Sequence, residues 1–237
     1  MKMNTRKWTC ILILGLILCP LKIAAHDMWL EKSKDGYSVT LGHKGQADTY
    51  DPARVQEAIG YTESGWPVKL RIERGQNGCN VFTDESFCTL TAVLDNEYWL
   101  KTTDGWKNQR DKKGLVIVEQ GHSFKYTKHI EMWSGFLNKP LGQRFEIVPL
   151  KDPTTLKPGD KLPVKVFFEG KLCRNAKVSK SSKMTDTHAL EDVQGEDPFM
   201  VEIGPSGLQL VNAKFGMPVK GNQKVWFACS LTFYGGK

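Results

Sequence analysis

The chain has 237 residues, with 33 Lys and Arg against 26 Asp and Glu and a formal net charge of +7. That length allows one large domain or two ordinary ones and is enough to bury a real core. Four of the basic residues (Lys2, Arg6, Lys7 and Lys22) fall in the first 25 positions, which carry no acid, so the remainder holds +3; the basic excess is partly a targeting feature and gives little support for nucleic-acid binding, and no nucleic-acid partner is expected.

The N-terminus reads as an export signal. Lys2, Arg6 and Lys7 form a positive start, the run from Trp8 to Leu21 is uncharged, and Ile23-Ala24-Ala25 offers a cleavage site. The apolar run has the length of a signal-peptide core and is short for a membrane span. Cleavage after Ala25 removes residues 1–25 and makes His26 the first residue of a periplasmic or secreted protein. An uncleaved anchor, or a lipoprotein through Cys19, are rival readings; bulky Leu18 and Pro20 around Cys19 disfavour the second.

Eleven Pro, 22 Gly and many Val, Thr, Phe and Trp tilt the mature chain toward β structure. Tyr37 to Leu41 alternates as a strand does. Residues 51–60 predict one short helix, with Asp51 as N-cap and Pro52 in the first turn. Trp66 to Glu73 alternates again. Four cysteines remain after cleavage: Cys79, Cys88, Cys173 and Cys229. An even number in an exported chain reads as disulfides; of the three pairings, Cys79–Cys88 across a short hairpin, with Cys173–Cys229, is favoured over a zinc site. Residues 88–94, 97–102 and 115–119 predict further strands, and 123–133 a strand or a short helix. A boundary near Gly142 separates an N-terminal β domain, 26–142, from a C-terminal β-sandwich, 143–237. Beyond it, strands are predicted at 144–150, 162–169, 175–180, 199–203, 208–214 and 224–234. The acidic loop 185–198, holding His188, reads first as a solvated loop.

Several stretches resemble one bacterial family: His26-Asp-Met-Trp-Leu30; Gly42-His43; Asp51-Pro-Ala-Arg-Val55; Gly142-Gln-Arg-Phe-Glu-Ile-Val-Pro-Leu150; Val166 to Val178; and Val225 to Phe233. It is the periplasmic component family associated with cobalt and nickel uptake transporters of the ABC or ECF type, a family catalogued as a domain of unknown function. The resemblance covers nearly the whole mature chain. It implies an all-β fold of two immunoglobulin-like or transthyretin-like sandwiches, a nickel or cobalt ion as ligand, and a membrane metal transporter as partner. The sequence departs from the family at Cys173, where proline is usual, and in the acidic insertion after Asp186.

The residues offer matching chemistry. An N-terminal histidine carries a free α-amine and an imidazole, which together can chelate one ion at neutral pH with little proton release. Such nitrogen donors suit Ni, Co, Cu and Zn. His43, at a strand end between glycines, is the candidate second ligand, and His122 the third. Asp27 and Asp48 are candidate ligands or acceptors for an imidazole N–H. Trp29 reads as an anchor for the first strand, and the other tryptophans as packing. No Gly-x-Ser-x-Gly, P-loop or His-Glu-x-x-His motif occurs, so the chain reads as a non-enzyme. Two alternatives remain: a copper histidine-brace oxidative enzyme or copper carrier, and a β-sandwich binding module without metal.

Overall fold

A computed structural model describes residues 26–43, 46–184 and 189–235. The expected signal segment 1–25, Lys44 and Gly45 of the turn after His43, and His188 lie outside the described residues.

Period-two alternation and β-branched side chains dominate this chain, and the fold is all-β. In order the strands are β1 (Asp27–Lys32), β2 (Tyr37–His43), β3 (Gln46–Ala47), β4 (Val55–Tyr61), β5 (Pro67–Lys69) and β6 (Arg71–Arg74). Next come β7 (Cys79–Phe82), β8 (Thr89–Thr102), β9 (Gly105–Lys107), β10 (Ile117–Ile130), β11 (Phe145–Pro149) and β12 (Lys161–Phe168). The last are β13 (Lys171–Leu172), β14 (Lys177–Ser179), β15 (Leu190–Asp192), β16 (Phe199–Glu202), β17 (Gly207–Pro218) and β18 (Gln223–Gly235). Two 3-10 turns, Pro52–Arg54 and Gly135–Asn138, interrupt them. Among the described residues no helix is long and apolar enough to cross a membrane.

The strands form three sheets in a sandwich-like arrangement. A central nine-stranded sheet runs β15-β14-β17-β18-β10-β8-β4-β5, with β9 on β8. On one face lies the sheet β1-β2-β7-β6 with β3; its Met28, Leu30, Val39 and Val81 pack with Leu90, Ala92 and Leu94 of β8. On the other face lies the sheet β11-β12-β13 with β16; its Phe145, Ile147, Val164 and Val166 pack with Phe227, Leu231 and Phe233 of β18. The central sheet takes strands from both sides of Gly142. They are joined by β10 and β18, which pair in parallel from Gln120↔Gln223 to Ile130↔Phe233. A Cβ on Gly121 would lie 1.7 Å from the Lys224 carbonyl oxygen, so this join requires glycine there.

Three expectations are corrected. Residues 51–60 are not a helix: Asp51 caps Ala53 N–H at 2.9 Å, one 3-10 turn forms, and the chain then enters β4. A single turn does not propagate when β-branched Val55 and Ile59 can pair with β8 instead. Residues 66–73 form two strands in different sheets, β5 in the central sheet and β6 in the outer one. The cysteines form no disulfide; Cys79, Cys88, Cys173 and Cys229 are buried free thiols. Cys79 sits on outer-sheet β7 with its sulfur 3.7 Å from the Tyr50 hydroxyl, whereas Cys88 belongs to the opposite core and its thiol donates to the Thr62 carbonyl. The chain passes between sheets from Phe82 to Thr89, so no Cys79–Cys88 hairpin exists. Cys173 and Cys229 share one core as separate thiols. Burial pushes the Cys88 thiol up to about 11 and the Cys229 thiol well above its ordinary value.

Two polar hubs tie the layers together. Lys128 of β10 donates to Glu146 of β11 and to the Ile147 carbonyl at 3.0 Å, and both residues of the pair are buried. Glu131, just after β10, accepts from Lys32 at 2.7 Å and from the Tyr37 hydroxyl, and faces His129 Nε2 at 3.3 Å. The hydrogen bond to His129, then those to Lys32 and Tyr37, hold the Glu131 carboxyl well below the usual carboxylate range, against an opposing push from burial.

A depressed folded value means that this stabilisation is present above the ordinary carboxylate pKa of about 4.3 and is lost as pH falls through the folded value. Glu131→Gln should therefore lose about 2 kcal/mol at neutral pH, roughly a 5 °C fall in melting temperature. The gap from wild type should close as pH drops below 4, read by thermal melts across pH. A thiol reagent should detect almost no cysteine in the native mature protein and four after unfolding in denaturant.

Candidate metal site around His26

Asp27, Met28, Trp29 and Leu30 are all buried, so the start of β1 is held along its length. β1 pairs antiparallel with β2 from Asp27↔Gly42 to Lys32↔Tyr37. Side chains of the central sheet also grip its backbone: the Ser230 hydroxyl donates to the Met28 carbonyl and Lys125 Nζ to the His26 carbonyl. Because Asp27 pairs with Gly42, the residue before it meets the residue after Gly42. The His26 and His43 rings lie 4.8 Å apart between centroids, edge to face at 66°.

The third member arrives by a tight return. β2 turns back into β3 with Gly42↔Ala47 and His43↔Gln46, and Asp48 N–H donates to the Leu41 carbonyl at 2.8 Å. Gly42 makes this possible: its φ is +150°, and a Cβ there would lie 2.3 Å from the Gln46 carbonyl oxygen. Asp48 Oδ2 then lies 3.3 Å from His26 Nε2. That approach is not aligned as a hydrogen bond. Asp48 Oδ2 and His43 Nδ1 are both buried without a hydrogen-bond partner. Each such atom costs about 1–3 kcal/mol. Burial pushes the His26 imidazole below its ordinary pKa; Asp48 pulls it up, and His43 and Lys125 push it further down.

The other expected site residues stand elsewhere. His122 faces Asp95 at 2.5 Å and stacks on Phe124 at 4.7 Å; nothing brings it to His26 or His43. Asp27, next in sequence to His26, is buried with Lys214 Nζ 3.8 Å from its carboxylate. His129 is fully buried between Thr232 and Glu131. Among the described residues no group of three or more His, Cys, Asp or Glu side chains stands ready to hold a metal ion. The donor set nevertheless suits one in kind, since two imidazoles and a carboxylate with orphaned atoms match a borderline transition metal. A site here needs one more donor, and the nearest source is the nitrogen of residue 26 itself.

Beside His26 opens a cavity of about 510 Å³ that sequence reasoning missed. Trp99, Trp106 and Trp226, read as packing residues, line it together with Lys125, Lys177 and Lys214. One signal was legible. In β10 the residues Ser123, Lys125, Thr127 and His129 alternate with Phe124, Tyr126 and Ile130, so one face of a central strand is polar and points into the structure.

No curated protein matches this chain. No solved structure matches it either. A family model, described as a domain of unknown function, DUF4198, matches residues 23–215. That span includes β1 to β3, His26, His43 and Asp48, and its description names no activity. The chain belongs to the DUF4198 family of domains of unknown function.

Proposed function

We propose that the chain, cut after Ala25, is a periplasmic binding protein or accessory factor for a nickel or cobalt ion, serving a membrane metal transporter. The observation that carries this reading is the pair of orphaned buried atoms, His43 Nδ1 and Asp48 Oδ2, set against the ring of His26. Cleavage converts the amide nitrogen of residue 26 into an amine, which adds the donor that the side chains lack. His26 and His43 supply imidazole nitrogens, and Asp48 is a ligand or accepts from a ligating ring. The pinned backbone of β1 supports the reading too, because a chain end otherwise frays.

Calorimetric titration of processed protein with Ni(II) and Co(II) tests it. Outer-shell partners of metal sites are worth about 10–100-fold in affinity, so losing a ligand should cost at least the upper figure. A form that begins at Ala25 and His43→Ala should each show that loss, and Asp48→Asn a loss within the range. Equal binding by the processed and the extended protein sinks the proposal. Gly42→Ala should act at a distance: the Cβ forces the return to β3 apart, so the contact between the two rings, read by NMR, and the metal affinity should fall together while the thermal transition stays cooperative.

A second reading, a copper histidine brace, draws on the tryptophan-lined cavity beside His26. It requires tight Cu(II) binding with peroxide-dependent turnover; the same protein titrated with copper and assayed for peroxide consumption separates the two.

A further inference from the structure

The cavity beside His26 has the makings of a site for an organic ligand. Its walls come from six strands of the central sheet: Trp99 on β8, Trp106 on β9, Lys125 on β10, Lys177 on β14, Lys214 on β17 and Trp226 on β18. At about 510 Å³ it falls in the range of small-molecule sites. Trp106 and Trp226 meet edge to face, 5.2 Å apart at 80°, and form an indole corner. Trp99 is fixed by its Nε1–H, which donates to the Asn96 carbonyl. Flat, half-exposed, immobilised indoles are surfaces on which a ring stacks.

The charge is one-sided. Lys125, Lys177 and Lys214 line the cavity and no Asp or Glu does. Their partners are known: Lys125 donates to the His26 carbonyl, Lys214 Nζ stands 3.8 Å from Asp27, and Lys177 pairs at the surface with Asp192 at 3.2 Å. Lys125 is 3% exposed. Lysine ammonium groups lining a mostly apolar hollow favour an incoming anion. The lining holds no Arg and no helix N-terminus, so its lysines meet an anion as point charges, which suffices for a singly charged carboxylate.

We propose that this cavity binds a ring-bearing carboxylate, its ring against the Trp106–Trp226 corner and its carboxylate toward Lys125 and Lys214. The ring is aromatic or a sugar, since both stack on indole.

Calorimetry and tryptophan quenching on metal-free, chelator-treated protein test the proposal apart from the metal reading. The probes are 2-naphthoate and digalacturonate, each beside an uncharged analogue, 2-naphthalenemethanol and galactobiose. Saturable binding of either carboxylate, at least tenfold tighter than its neutral analogue, is the expected result, and the carboxylate that binds identifies the ring. Trp106→Ala, on a short edge strand, should weaken it about tenfold and Lys214→Gln by a similar factor. Binding of neither carboxylate below 1 mM, equal binding of the neutral analogues, or an unaffected Trp106→Ala variant overturns it.

Discussion

The candidate site depends on one constraint: β1 must lie fixed in register against β2 and on the central sheet. A one-residue slip would turn Met28 and Leu30 away from the core and carry His26 past His43. The register is over-determined. Backbone pairing sets it along β2, apolar burial sets which face points inward, and two side chains of the facing central sheet grip the carbonyls of His26 and Met28. Ser230, one of those two, is separated from Met28 by 202 residues. The first strand is thus held by the last, and the last is in place because β10 and β18 run parallel with Gly121 leaving room for the Lys224 carbonyl. A site that looks local in the sequence rests on a contact that spans 202 residues, and residues 26–142 alone lack the Ser230 grip.

That arrangement gives the interior beneath β1 its unusual chemistry. Lys125, Thr127 and His129 of β10, Ser230 and Thr232 of β18, and Asn212 of β17 are all buried. They bond to one another and to β1: Ser230 to Thr127 at 2.8 Å, His129 to Thr232 at 3.0 Å, Lys125 to His26. A buried polar network costs more than an apolar core unless its members are satisfied, and in return it accepts few geometries. Here it sets where β1 and His26 lie. Among the described residues three buried side-chain atoms lack a hydrogen-bond partner: Asn212 Nδ2 within this network, and His43 Nδ1 and Asp48 Oδ2 beside His26, where an added ligand gains most.

Much of this was legible in the residues. The all-β class followed from alternation and composition, and the strands after Gly142 fall close to their expected positions. His26, His43 and Asp48 are neighbours, and Gly42 is the residue that permits it, as the glycine beside His43 suggested. Other features were not legible, for identifiable reasons. Cysteine parity cannot tell which sheet each thiol faces, and Cys79 and Cys88 went to opposite cores. Asp51-Pro52 is a sound helix start, but pairing with β8 outcompeted propagation. His122 is six residues from Lys128 on the same strand as Lys125, yet its ring turns to Asp95 and Phe124 across a register shift between His122 and Phe124. The cavity draws Trp99, Trp106 and Trp226 from three strands, and no spacing within one segment announces that.

The extent of the family match divides the two sites in a way the physics makes informative. His26, His43, Asp48 and Gly42 fall within residues 23–215, while Trp226 and Ser230 lie on β18 beyond it. Metal-donor chemistry can therefore belong to the matched span, whereas one wall of the cavity is built by the terminal strand. Yet β18 cannot be an optional addition in this chain. Its Phe227, Leu231 and Phe233 complete the core under β11 and β12, and its Ser230 holds the strand that carries His26. The strand that shapes the cavity also secures β1, so a change in β18 that remodels the cavity leaves β1 in place only if Ser230 keeps its hydrogen bond to the Met28 carbonyl.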